Sequence, residues 1–253
     1  MDWEDKRRRD LARLEAAQQR TQARLEQQRV RLERQFERVR ERIEKKYGDP
    51  SVSQQRIIDA ALELLDEDGL NSLSLRKLAA RLDMQAPALY WHFKNKEVLI
   101  DYMAEAILQS EFRELTPMRP DEAWQDWLVN VCQRLRSAMR SRRDGARVVA
   151  GAHLYPAVTL IKLFEVGMQS LTSAGIELQR ANLIVETATH YVFGNVIEEQ
   201  AAPSLEEIDE ALSGGLLDDY PLVLESVQRS LEAVHDGHDE FEDSLRLIIG
   251  YPE

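Results

Sequence analysis

Three helical runs packed into residues 53–96, with breaks of only a few residues between them, constrain this chain more than any other feature. In SQQRIIDAALELLDEDG the apolar residues Ile57, Ala60, Ala61, Leu64 and Leu65 recur at helical spacing. Ser53 is the expected N-cap of that run and Gly69 its end. In SLSLRKLAARLD, Ser74 is placed to cap a short second helix that turns Leu75, Leu78, Ala79 and Leu82 inward. After a break at Asp83-Met84 comes MQAPALYWHFKNK, with Tyr90, Trp91, His92 and Phe93 in a row. A strand would favour such aromatics, but Pro87 and the helical text on both sides exclude one. Pro87 suits the first turn of a helix, where a missing N–H costs nothing.

The rest of the chain is helical text as well. Candidate helices run over 96–112, 121–142, 146–153, 156–174, 177–200, 204–212, 220–233 and 238–249, with linkers carrying LTPMRP, LYP, AGI and SGG. No alternating strand pattern and no internal repeat is present, so the predicted fold is all-α. At 253 residues the chain is long enough for a real core. The expected organisation is a long helix over 1–49, a three-helix unit over 50–97 and a helical body over 98–253.

The first 47 residues contain neither Gly nor Pro. Leu11, Leu25, Leu32 and Val39 lie on a seven-residue grid, and Leu14, Phe36, Ile43 and Tyr47 extend the stripe. Gln18, Thr21, Gln28 and Gln35 interrupt it. A helix of this length reaches about 70 Å and needs a partner for so narrow a seam. Gly48-Asp49-Pro50 stops it.

Charge is divided unevenly. The net charge is −12, yet residues 1–50 hold 15 Lys and Arg against 11 Asp and Glu, while the remainder holds 18 against 34. A basic N-terminal piece therefore precedes an acidic body, whose charge reads first as a solvated surface and would also repel DNA. No apolar run approaches the roughly 20 residues of a membrane span. MDWEDKRRRD lacks the apolar stretch of a secretory signal. The single cysteine, Cys132, rules out an intramolecular disulfide framework and suits a reducing cytoplasm; between Val131 and Gln133 in mid-helix it reads as packing. A Gly-rich phosphate loop, HExxH, a Cys/His cluster and a supported Ser/His/Asp arrangement are all missing, so neither an enzyme nor a cofactor is expected.

Two short helices joined by a tight turn, with a third behind them, make a helix-turn-helix. Leu89 and Phe93, four residues apart, are predicted to pack inward, leaving Tyr90 and Lys94 on another face, flanked by Trp91 and Lys96. Such a helix enters a major groove with its N-terminal residues against base edges and its aromatic and Lys groups against phosphates.

The run IIDAALELLDEDGLNSLSLRKLAARLDMQAPALYWHFKNKEVLID resembles the DNA-binding domain of the TetR family of bacterial repressors, with LYWHFKNKEVLID its most specific part. WQDWL, SRRDGARV and HYVFGNVIEEQ resemble the ligand-binding domain of the family's tetracycline-responsive branch, so the similarity spans roughly 53–250. It implies a regulator that binds double-stranded DNA at an inverted-repeat operator as a homodimer and is released by a small-molecule inducer. It places Arg76 opposite a guanine, and Tyr90, Trp91, His92, Lys94 and Lys96 where the family holds the DNA backbone or shapes the reading helix. Around Pro87 this chain has Ala86 and Ala88 instead of polar residues, which implies a different operator read more by shape and by Gln85. The last long helices, 177–200 and 238–249, correspond to the family's dimer bundle. Glu198 stands where a glutamate assists the drug-bound Mg²⁺, but Val149 replaces the histidine that ligates it. Phe112, Val131 and Ala152 replace further polar contacts. The resemblance therefore implies an apolar inducer other than tetracycline–Mg²⁺, held by Phe112, Trp127, Val131, Leu135 and Val149, with His153 as a polar contact.

The N-terminal helix lies outside the resemblance. It has three competing roles: pairing with another copy within or between dimers, folding back with its basic face on acidic surface, or phosphate contact through Arg34, Arg38, Arg42, Lys45 and Lys46. Pairing is the expectation, with DNA contact near its end. The rival overall reading is a coiled-coil assembly protein in which DNA binding is secondary.

Overall fold

The computed structural model describes residues 52–250 except 155, together with twelve helical positions between 19 and 41. Between Val52 and Ile249 the described residues form eleven α-helices and no strand. A three-helix head comprises α1 (Val52–Asp68), α2 (Leu75–Arg81) and α3 (Ala86–His92). From it α4 (Lys96–Phe112) runs into the body, which continues with α5 (Trp124–Arg140), α6 (Gly145–Ala150), α7 (Val158–Ser173) and α8 (Leu178–Ala201). Then come α9 (Leu205–Ser213), α10 (Pro221–His235) and α11 (Glu240–Ile249).

Helix α1 already includes Val52 and Ser53, so Ser53 lies in its first turn and is not the cap. The cap falls upstream, outside the described residues. Ser74 does cap α2, its Oγ accepting from the Lys77 amide, and Asn95 caps α4 through Val98. The tight turn closes through Asp83, which adopts φ 52°, and through the Met84 amide bonded to the Ala79 carbonyl.

One hydrophobic core runs through the head and the body. In the head, Ile57, Ile58 and Leu65 of α1 meet Leu78, Leu89, Phe93 and Leu99, all almost fully buried. Phe93 also stands edge-on to Tyr102 at 5.5 Å. The predicted inward pair Leu89 and Phe93 is therefore core, and Leu82 is half-buried against it. In the body α4 packs on α5, α6 and α7, while α7 and α11 pack on α8.

Head and body meet at the turn before α6. Asp144 (φ 54°) accepts from the Leu70 amide at 2.8 Å, and Arg142 pairs with Asp66 at 2.6 Å. Arg143 donates to the Glu67 carbonyl and Arg147 to Asn71. The joint is thus built from the end of α1 and the RRDGAR segment.

Helices α9 and α10 bury no residue, although both are amphipathic. A further apolar seam lies along α8 and α11, where Leu183, Leu247 and Ile248 are exposed. Among the described residues no helix is long and apolar enough to cross a membrane. Most of the predicted long helix over 1–49, with the coiled-coil pairing expected of it, lies outside the described residues.

Candidate functional site

Helix α3 owes its placement to two anchors. Leu89 and Phe93 drive its inner face into the core, and Pro87 fixes its first turn. Gln85 is the N-cap residue but makes no capping bond with its side chain, which leaves the amide exposed. Pro87 is exposed, and Ala86 and Ala88 are half-buried. Tyr90 is 55% exposed and Trp91 89%, and Lys94 is exposed with them. Two adjacent large aromatics left in water form the kind of exposed patch that marks an interaction surface. His92 is half-buried, and its carbonyl accepts from Gln54 at 3.4 Å. Lys96 differs from the others: its Nζ donates to the Leu70 carbonyl at 3.1 Å, which ties the start of α4 to the end of α1.

The three cations of α2 divide by partner. Arg81 is held by Glu67 at 2.6 Å and Glu63 at 3.1 Å, bonds that raise its pKa further above the ordinary arginine value. Lys77 reaches Asp68 at 3.2 Å. Arg76 is exposed, and none of the ion pairs or hydrogen bonds found among the described residues involves it. A free guanidinium next to α3 has its five donors available to an outside acceptor.

In the body, α5, α7 and α8 enclose a small cavity of about 20 Å³, lined by Trp127, Leu128, Val131, Cys132, Leu135, Leu163, Gly167, Val185 and Thr189. The predicted residues Trp127, Val131 and Leu135 are brought together there. Phe112 and Val149 are fully buried nearby in the core but do not line it. His153 lies apart from these residues. Its side chain is 71% exposed, and both its backbone amide (2.9 Å) and its Nδ1 (3.2 Å) meet the buried carboxylate of Asp101 on α4. It belongs to a loop clamp and not to the cavity, because α6 ends at Ala150 and the chain has left the helical path that a pocket position three residues on would need. Glu198 is exposed on the outer side of α8.

Sequence reasoning missed Leu128, Leu163, Gly167, Val185 and Thr189. Gly167 is the one with a legible signal, a glycine inside a helical run. A Cβ there would stand 3.0 Å from Val185 Cγ2, so the missing side chain lets α7 approach α8. Burial pushes the Cys132 thiol up to about 12, which keeps it neutral and unreactive. The wall thus offers apolar carbon, one neutral thiol and the Thr189 hydroxyl, which is already bonded to the Val185 carbonyl. Among the described residues no three His, Cys, Asp or Glu side chains converge as a metal site.

A reading helix with bare aromatics on a three-helix head, joined by one helix to a body with an apolar cavity, defines a DNA-binding regulator of the helix-turn-helix class. Residues 57–103 match the family described as bacterial regulatory proteins, tetR family, and residues 116–250 match the tetracyclin repressor-like C-terminal domain. The chain belongs to the TetR family of transcriptional regulators. It is 36% identical over 199 residues to the class A tetracycline repressor protein of transposon 1721 from Escherichia coli, spanning 76% of this chain and 87% of that one. It is 39% identical over 154 residues to the class G tetracycline repressor protein of Vibrio anguillarum, spanning 61% and 72%. Among solved structures, a TetR variant of Acinetobacter baumannii AYE in complex with minocycline shares 36% identity and a TM-score of 0.62, over 79% of this chain and 92% of that one. BioQ bound to its double-stranded DNA operator shares 29% identity and a TM-score of 0.52, over 64% and 96%.

Proposed function

We propose that this chain is a repressor that binds an inverted-repeat operator as a homodimer, in the cytoplasm and without enzymatic activity, and that a neutral, largely apolar small molecule releases it. Residues 50–97 serve as the reading head and 98–253 as the ligand-binding and dimerisation unit. The observation that carries the reading is the pairing of an exposed, unpaired Arg76 with the bare Tyr90–Trp91 surface of α3. Arg76 reads a guanine through O6 and N7, and Gln85 contributes an amide at the helix start. Ala86 and Ala88 offer methyl groups only, which favours thymine contact and shape readout. Tyr90, Trp91, His92 and Lys94 set the head on the phosphate backbone, and Lys96, just beyond α3, ties the start of α4 to the turn after α1.

The cavity supports an apolar inducer. At about 20 Å³ it holds roughly one water, so a ligand must part α5 from α7 and α8 to enter. Val149 supplies no metal ligand, and one carboxylate, Glu198, is a poor Mg²⁺ site, so tetracycline–Mg²⁺ does not suit the residues present. A ligand releases DNA only by preferring the state whose two heads are wrongly spaced, and α4 connects the cavity walls to the head. Selection of bound fragments from a random DNA pool by the full chain tests the reading. One enriched inverted repeat is the expected result. Absence of any enriched sequence would overturn it in favour of the assembly alternative.

A further inference from the structure

Two of the described N-terminal positions border a crevice shared with the body. Arg31 and Gln35 line a crevice of about 810 Å³ together with Glu165 and Gln169 of α7 and with Glu177 and Leu178 at the start of α8. Val30, beside Arg31, is the one partly buried residue among the described positions of this segment. The wall they face lacks a partner in two respects. Gln169 Oε1 is buried without a hydrogen bond, which is costly for an amide oxygen, and Leu178 is an exposed leucine on the same rim. Arg31 and Gln35 carry the N–H donors that Gln169 needs. Charge agrees as well: Glu165 and Glu177 belong to the acidic remainder of the chain, whereas Arg31, Arg34 and Arg38 lie on the basic piece.

We infer that the N-terminal segment docks on the α7–α8 corner of its own chain, with Arg31 and Gln35 against Glu165 and Gln169, and so straps the reading head to the wall of the cavity. The segment precedes α1 in the chain, so it is tethered to the head. The docking site is the outer surface of the same two helices whose inner residues Leu163, Gly167, Val185 and Thr189 line the cavity. A ligand that parts α7 from α5 therefore moves the strap's seat as well as α4, giving the head a second mechanical link to the ligand. A second copy is the rival occupant for the corner. The tether of the segment to its own head, with Arg31 and Gln35 of the same chain lining the crevice, favours the intramolecular arrangement.

Chemical cross-linking decides between them. In the full chain, Gln35→Cys with Gln169→Cys is treated with a short bis-maleimide, Cys132 being buried and unreactive. Isotopically light and heavy chains are refolded together beforehand. The expected cross-linked peptides carry a single label, and Arg31→Glu lowers their yield several-fold while added Glu165→Arg restores it. Mixed light–heavy peptides would assign the corner to another copy and overturn the inference. So would a yield no higher than that of a Gln35→Cys, Ser204→Cys control. Hydrogen exchange needs neither cysteine: amides of 165–172 exchange several-fold faster in Arg31→Glu than in the unaltered full chain, and equal rates would again overturn it.

Discussion

On the proposed reading, Arg76 is the residue on which specificity turns. Its neighbours Lys77 and Arg81 are tied to acids of α1, so replacing either perturbs the head itself, while Arg76 contributes nothing visible to folding. Arg76→Ala is expected to leave the melting temperature unchanged and to cost about 1–3 kcal/mol of operator binding, with relaxed preference at one base pair. Binding of operators mutated at each position measures this, and a uniform loss across sequences would reassign Arg76 to a phosphate. Cys132 gives a prediction of a different kind. Its folded pKa, about 12, lies above the 9.0 of an unperturbed thiol, so the neutral form is favoured on folding. The resulting stability is complete below pH 9 and is lost as pH rises through 12. Thermal melts between pH 8 and 11 are expected to fall more steeply for the wild type than for Cys132→Ala. Rapid alkylation of the native thiol at pH 8 would contradict that burial and reopen a redox role.

At the scale of elements, α4 is held to the body by its carboxylates. Asp101 takes the His153 amide, and Glu105 takes both the amide and the hydroxyl of Thr159 at 2.9 Å. The loop after α6 is thereby pinned to the helix that carries the head. Asp101→Ala removes a buried acceptor and leaves the His153 N–H unpaired, an expected loss of about 1–3 kcal/mol in urea unfolding. Asp101→Asn keeps an acceptor oxygen and is expected to lose less than half as much. Equal losses would mean that packing, not the hydrogen bond, holds the loop. These clamps also show what sequence reading can reach. Helix limits were legible to within a few residues, because a cap such as Ser74 and a break such as the AGI linker at Gly175 announce themselves locally, although Ser53, read as a cap, lies inside α1. The inward set Leu75, Leu78, Leu89 and Phe93 followed from helical periodicity in the same way. The cavity did not, because periodicity says which face of α7 is buried but not that Gly167 meets Val185 of α8. His153 lies apart from the cavity for a related reason: counting one turn beyond Val149 assumes a helix that ends at Ala150. The reading helix followed from the two short helices and their tight turn, whereas the role of Arg76 came from the resemblance.

For the whole molecule the question is what covers the exposed seam of α8 and α11. Leu247 is 83% exposed and Leu183 57%, and between Leu183 and Glu198 the outer face of α8 carries Thr187, His190 and Gly194. Family membership and the corresponding helices make this the proposed dimer seam, with Gly194 allowing two copies of α8 to approach closely. The monomer itself has no need of that glycine, since a Cβ at Gly194 would find nothing within 4 Å. The two effects of Gly194→Leu therefore have opposite signs. Within one chain a leucine in mid-helix adds about 1 kcal/mol of helix stability over glycine. Between chains it inserts a side chain into a close contact, and overpacking of that kind costs about 1–3 kcal/mol or more. Sedimentation on dilution is expected to show dimer dissociation at a concentration at least about tenfold higher, with far-ultraviolet dichroism unchanged. Operator affinity falls with it, because two heads on separate chains lose the effective concentration that linkage provides. An unchanged dimer would move the seam elsewhere, with the unburied α9–α10 arm the next place to substitute. A loss of helix along with the dimer would mean that this face of α8 is packed within its own chain.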